Sequence, residues 1–369
     1  MMTKRQVLYE TGWGWWTVAI VTGLAVWSSG NFRANAEQAG PMTAVTLDAR
    51  LTNYTANEPV SGHVRVQGSE TMLPLMQRVA AEFRRRQPQA GIDVTGGGSA
   101  KAIEQLVQPP LKSTGKIHLK EERHTPALVV ASSRPLTQSE IAQFTAQHGH
   151  APLTVAVAVD AVALYVHKDN PIEGLTLKQV DAIFSSTHNR GLPDDIKRWD
   201  QLGLDSKWSH SPIRLYGRDR KSGTRGFFQE HVLAGGDFSP GIQEEPGAAS
   251  LILALSRDPL GIGYNGLGLM SSSVRVVPLA EGSGQPFVTP SAATVADETY
   301  PLRRLLYLHF DKAPSEPLPG VVTELVQFIT SRDGQEAVVR AGFFPLPISE
   351  IDKGQLALKP NAAPIAPTP

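Results

Sequence analysis

The 369-residue chain contains no cysteine. That excludes a disulfide framework, thiolate chemistry and a lipid-modified cysteine at an export cleavage point. It also lacks any excess of charge: 35 basic residues stand against 35 acidic ones. A balanced surface argues against broad nucleic-acid binding, while leaving room for a small, local, positively polarised site. Several catalytic and nucleotide signatures are missing as well. No Gly-Lys-Ser/Thr follows its glycine-rich turns, and the third glycine of the dinucleotide fingerprint is unfilled. Neither Gly-x-Ser-x-Gly nor His-Glu-x-x-His occurs. Past the first 36 residues there is no apolar run of the roughly 20 residues a membrane span needs.

What is present begins with a processing segment. Lys4 and Arg5 form a charged start, Trp13 to Trp27 a short apolar core, and Ala34-Asn35-Ala36 a small-residue cleavage site before polar Glu37. The alternative is a retained anchor, for which the apolar run is short. Removal after Ala36 leaves a slightly acidic chain long enough for two domains. An exported protein free of disulfides fits the bacterial periplasm best.

Residues 37–61 are polar without strong periodicity and read as a leader. His63 to Gln67 alternates like a strand. Gly68-Ser69-Glu70-Thr71 follows, then a helix whose apolar positions Met72, Leu75, Met76, Val79, Ala80 and Phe83 keep the 3.6 period. The unit repeats: Gly91 to Thr95, the turn Gly96-Gly97-Gly98-Ser99, and a helix carrying Ile103, Leu106 and Val107. Residues 109–126 read as a surface excursion. Leu128 to Ala131 is a buried strand ending in Ser132-Ser133-Arg134-Pro135, with a capping box, Thr137 and Glu140, opening the next helix. His148 and His150 flank Gly149 in what reads as a solvated loop without the partners of a metal site. Leu153 to His167, the longest β-rich run, suggests two strands with a crossing point between them. Trp199 and Trp208 read as packing residues. Helices are expected at Val321 to Thr330 and on to Ala341, with residues 348–369 an Ala/Pro-rich tail, disordered from Ile351.

The stretch of most chemical interest is Arg218 to Phe228. It follows a strand-like run, Pro212 to Tyr216, and opens a helix, so Ser222, Gly223 and Thr224 fall at a helix start. Unpaired backbone N–H groups and the positive end of the dipole favour an anion there. Two hydroxyls and Arg218 add to this. On its own the stretch could be an ordinary N-cap on a basic turn. Strands alternating with helices imply an α/β protein with largely parallel sheets, in which ligands sit where strand ends meet helix starts. The turns at Ser69, Ser99, Ser133 and Ser222 can converge only if the chain folds into facing lobes.

Taken in order, Gly68-Ser69-Glu70-Thr71, Gly98-Ser99, Ser132-Ser133-Arg134-Pro135-Leu136 and Arg218-x-x-x-Ser222-Gly223-Thr224 resemble the motifs of the periplasmic phosphate-binding proteins of bacterial ABC importers. Asp160, Asn170-Pro171, Ile183-Phe184-Ser185, Ile262-Gly263-Tyr264 and Asp333-Gly334-Gln335 are similar to that family too, so the resemblance covers Gly62 to Pro347. It implies a type II periplasmic binding protein: two α/β lobes, each a mainly parallel sheet flanked by helices, with a hinged ligand cleft between them. Residues 62–155 with 280–347 would form one lobe and 156–279 the other. It implies that Ser69, Thr71, Ser99, Ser133, Arg218, Ser222, Gly223 and Thr224 hold inorganic phosphate, with no cofactor or metal, and that a membrane permease complex is the partner of a monomer. One position departs: familiar members carry an aspartate where this chain has Ser133. A carboxylate acceptor lets a site demand a protonated oxyanion, so sulfate enters as an alternative ligand and Glu70 as a candidate substitute acceptor. Against that role stands a helix-start carboxylate facing solvent. Two other functional classes stay open: an adhesion protein on the same scaffold, and a serine hydrolase or phosphatase assembled from distant residues.

Overall fold

The structure is a computed structural model that describes residues 45–109, 127–269 and 271–359. The export segment with its cleavage point, the start of the leader, most of the 109–126 excursion and residues 360–369 lie outside the described residues. No helix among the described residues is long and apolar enough to cross a membrane.

The chain opens with two strand–helix units, β1 (Gly62–Gly68), α1 (Leu73–Arg86), β2 (Ala90–Thr95) and α2 (Ser99–Val107). On α1 the residues at helical spacing, Leu75, Met76, Val79, Ala80 and Phe83, are buried, and Arg84, Arg85 and Arg86 load the last turn, where cations complement the dipole. Strand β3 (Ala127–Ser132) leads to α3 (Gln138–His148). Its capping box is complete: Glu140 N–H donates to Thr137 Oγ1 at 3.2 Å, and Thr137 N–H to Glu140 Oε2 at 2.8 Å. Strand β1 lies between β2 and β3, parallel to both.

Strand β4 (Leu153–His167) is one unbroken strand of 15 residues, buried from Val155 to Val166. The two-strand expectation for this run is corrected. Its length serves two sets of neighbours. Residues 153–161 pair with β11 (Arg303–Phe310), while 162–167 pair with β8 (Gly261–Gly266) and β9 (Val274–Val277), all antiparallel. Beyond β4 come the two-residue β5 (Leu175–Thr176), α4 (Leu177–Phe184), β6 (Arg214–Arg218), α5 (Gly223–His231), β7 (Gln243–Glu245) and α6 (Ala248–Leu255). Strand β10 (Leu279–Ala280) pairs with β5, and α7 (Ala292–Ala296) precedes β11. Nine described strands form one sheet, ordered β2-β1-β3-β11-β4-β8-β6-β7 with β9 also on β4. Its two flanks are parallel and its middle is antiparallel.

Helices α8 (Gly320–Ile329) and α9 (Arg332–Arg340) close over the first flank. Trp199 and Trp208 are core residues, edge to face at 6.1 Å. Two expectations need correcting, for the tail and for the His148–His150 loop. Residues 348–357 are not a disordered tail but helix α10 (Ile348–Ala357), which buries Ile351, Gly354 and Ala357; composition pointed to disorder, but three small or apolar residues share a face. The described part of the leader is anchored at two residues: Leu51 and Tyr54 are buried, Tyr54 O–H donates to Glu324 at 2.5 Å, and Tyr54 N–H donates to Asp333 at 2.7 Å. His148 is not solvated: it stacks on Phe144 at 4.0 Å and pairs with Asp311 at 3.1 Å, and His150 pairs with the same carboxylate at 3.3 Å.

Two predictions follow from this packing. Ile351→Ala should lower unfolding free energy by about 2–5 kcal/mol, whereas Leu356→Ala on the exposed side of α10 should stay within about 0.5 kcal/mol; urea titration distinguishes them, and two equally small effects would restore the disordered tail. The second concerns His309 on β11. It is fully buried, with Nδ1 2.9 Å from Thr154 Oγ1, and burial, reinforced by the nearby Arg134 charge, pushes its pKa down from 6.5 to about 3. A base depressed in the folded state contributes stability above its unfolded pKa, and that contribution drains away as pH falls from about 6.5 toward 3. His309→Asn should therefore show a smaller stability loss between pH 7 and pH 5 than wild type in pH-dependent melts; an equal loss refutes this.

Candidate functional site

The site forms where the ends of β1, β3 and β6 meet the starts of α1, α2 and α5. Gly68 makes the first turn possible. Its φ is +145°, and a Cβ there would lie 2.1 Å from Ala131 O, so only glycine lets β1 approach β3 this closely. Gly98 N–H donates to Gly68 O at 2.8 Å, placing Ser99 at the head of α2. From the other flank, Lys221 O accepts from Ala100 N–H at 3.2 Å. The α5 loop and the α2 loop are therefore hydrogen-bonded to each other.

The hydroxyls meet across this contact. Thr71 Oγ1 and Thr224 Oγ1 are 3.0 Å apart although 153 residues separate them. Ser99 Oγ lies 3.4 Å from Ser133 Oγ and accepts from Ser133 N–H at 3.2 Å. A Cβ on Gly223 would sit 2.5 Å from both of these serine oxygens. Thus Thr71, Ser99, Ser133, Gly223 and Thr224 come together directly, all buried. Ser222 is the N-cap of α5, its Oγ accepting from Thr224 and Arg225 N–H at 3.2 and 3.4 Å; its own proton remains to donate elsewhere. Ser69 Oγ, also buried, accepts from Met72 N–H at 3.3 Å in the turn before α1.

Arg218 ends β6 at 1% exposure. Its Nη1 donates to Asn265 Oδ1 at 3.2 Å and Nη2 to Pro246 O at 3.3 Å, while Nε has no protein partner. Burial pulls its pKa down; the neighbouring Asp219 opposes this and Arg304 adds to it. Glu70 Oε1 accepts from Gly97 N–H at 2.5 Å, so the carboxylate braces the second loop. No group of three or more His, Cys, Asp or Glu side chains among the described residues could hold a metal ion.

Sequence reasoning missed Arg304. It faces Asp160 across the β11–β4 pairing, with Nε and Nη2 3.0 and 2.7 Å from Asp160 Oδ2, and Nη2 also donates to Thr224 Oγ1 at 3.0 Å. The available signal was a tandem arginine in a strand, where alternation turns one side chain inward. Arg303 is half-buried and Arg304 is buried.

This arrangement, two parallel flanks joined through a shared strand with loops meeting at strand ends, matches known proteins. Residues 53–333 match the model described as a PBP superfamily domain. The phosphate-binding protein PstS of Pseudomonas aeruginosa is 39% identical over 315 residues, covering 85% of this chain and 93% of that protein. The chain belongs to the PstS family of this superfamily. The fold agrees with a Clostridium perfringens substrate-binding protein crystallised with bound phosphate, at a TM-score of 0.61 and 23% identity over 78% of this chain and all of that one. It agrees also with an ABC-type phosphate transport receptor from Vibrio cholerae, at a TM-score of 0.56 and 21% identity over 77% of this chain and all of that one.

Gly223 is the position on which the meeting of the loops turns. Gly223→Ala should force the α5 loop off the two serines and weaken the Ala100–Lys221 bond. Hydrogen exchange at the Ala100 amide should accelerate by at least about tenfold while the core strand β4 keeps its protection; unchanged exchange at Ala100 would show that the loops tolerate the methyl group.

Proposed function

We propose that this chain is an exported solute-binding protein that captures inorganic phosphate between two lobes and delivers it to a membrane permease complex. The observation that carries the reading is the convergence of Thr71, Ser99, Ser133, Gly223 and Thr224 from four separate loops, beside the buried Arg218. The names of its PstS relatives and the bound phosphate of the Clostridium protein support the choice of ligand. The lobes would be residues 62–155 with 280–347, and 156–279, closing about β4 and the stretch before β11. The mature monomer would begin after Ala36 and work in the periplasm.

Capture needs no catalyst. The cleft hydroxyls bond to one another and to backbone N–H groups, which suits reversible donation to an anion. Ser69, Ser222 and the N–H groups at the starts of α2 and α5 complete the donor set, with Arg218 supplying the charge. Each hydrogen bond to a charged group contributes about 1.5–3 kcal/mol, so several together reach the roughly 8 kcal/mol of micromolar binding.

Calorimetry of protein stripped of carried-over ligand, titrated with phosphate, sulfate, arsenate and molybdate, tests the proposal. Phosphate should bind at micromolar affinity or better, and Arg218→Gln should weaken it by about 10–100-fold, the equivalent of one charge-assisted bond. Absence of phosphate binding by the wild-type protein refutes the function.

A further inference from the structure

The Asp160–Arg304 pair lies behind the proposed cleft, and the reading of the cleft uses neither residue. Both side chains are almost wholly buried, at 1% and 2% exposure. A buried ion pair is an expensive way to join two strands, and apolar residues of similar volume often serve as well. The pair also does something that apolar residues cannot, since it presents hydrogen-bond donors to a neighbouring loop.

The hydrogen-bond geometry sets the direction of that donation. A guanidinium donates and never accepts. Arg304 Nη2, 3.0 Å from Thr224 Oγ1, therefore makes that oxygen an acceptor on its inner side. The single Thr224 proton must then point away from Arg304, toward Thr71 Oγ1 at 3.0 Å or toward an acceptor in the cleft. The same guanidinium lies over the ring of Phe227, one turn into α5, at 5.4 Å. Arg304 thus grips both the first turn of α5 and the hydroxyl it presents. Asp160 holds the guanidinium through two bonds to a single oxygen, Oδ2, and Nη1 is left buried without a protein partner.

We propose that Arg304, anchored by Asp160, is a positioning residue that fixes Thr224 as a hydrogen-bond donor to the captured oxyanion. The inference rests on the phosphate reading of the cleft. The chain of donation runs from Arg304 to Thr224 Oγ1 and from the Thr224 hydroxyl to the ligand, so the arginine acts on binding only through that hydroxyl.

A double-mutant cycle tests this dependence. Phosphate affinity is measured by calorimetry for wild type, Arg304→Gln, Thr224→Val and the double variant, with a melting curve for each. Arg304→Gln and Thr224→Val should each weaken binding by about tenfold, and the double variant should be no weaker than Thr224→Val alone. Thr224→Ser, which keeps the hydroxyl, should retain sensitivity to Arg304→Gln. Because Arg304→Gln strands a buried carboxylate and could fail to fold, the cycle is run in parallel with Asp160→Asn/Arg304→Gln, which removes both charges. A purely structural pair would lower melting temperature and leave affinity unchanged. That result, or multiplicative losses in the double variant, overturns the inference while leaving the phosphate reading intact. A wild-type protein that binds no phosphate removes both.

Discussion

Everything in this molecule hangs on a strand that two sets of neighbours share. Strand β4 is buried on both faces along nearly its whole length, because its first part belongs to one flank of the sheet and its last part to the other. A strand in that position should be apolar throughout, and from Val155 to Val166 it is, except for Asp160. A lone carboxylate there would cost several kcal/mol. The cross-strand register answers this by placing Arg304 directly opposite. The pair sits where the two flanks of the sheet meet, and through Thr224 it reaches the loop that the second flank sends back over the first. The junction of the sheet and the meeting point of the loops are thereby one hydrogen-bonded unit.

The loops depend on what is absent from them. At Gly98 a side chain would run into Lys221 O at 2.4 Å, and at Gly223 into Ser99 and Ser133 Oγ at 2.5 Å. Two facing turns can approach until backbone N–H groups and short hydroxyls share one small volume only if both lack a Cβ at the point of contact. Long cationic side chains would carry more charge, but they would hold the turns apart and lose more rotamer freedom on ordering. In the proposed site, short hydroxyls fixed by helix starts would already be oriented before a ligand arrives, lowering the entropic cost of binding.

How much of this was legible beforehand follows from the range of each interaction. Local signals read correctly: the helical spacing from Met72 to Phe83, the Thr137–Glu140 capping box, and hydroxyls at the starts of α2 and α5 are all encoded within a few residues. Non-local pairing did not read. Nothing within Leu153 to His167 says that one strand will serve two sets of neighbours, so its length suggested two elements. The anchoring of Tyr54 depends on Glu324 and Asp333, about 270 residues away, and short-range periodicity cannot reveal such a contact. Helix α10 was hidden by an Ala- and Pro-rich context whose prolines fall mostly after it. Arg304 was the costliest omission, since a charge alternating inward in a strand is a usable sign, and its neighbour Arg303 disguised it.

The serine at position 133 gives the geometry its sharpest consequence. A carboxylate among the donors would accept only, and would demand a proton from the ligand. Ser133 and Ser99, 3.4 Å apart, can each donate or accept, so in the proposed site this pair would adapt to the protonation state of the bound oxyanion. Thr224 is less free, because its Oγ1 accepts from Arg304 and its proton must point away from that guanidinium. In the proposed site, discrimination would reside in the orientation of hydroxyl protons rather than in a fixed negative charge. In the proposed site, an adaptable pair of serines beside an oriented threonine would favour the tetrahedral shape and charge of the guest over its proton count, placing phosphate and its isosteres ahead of any requirement for a particular ionic form.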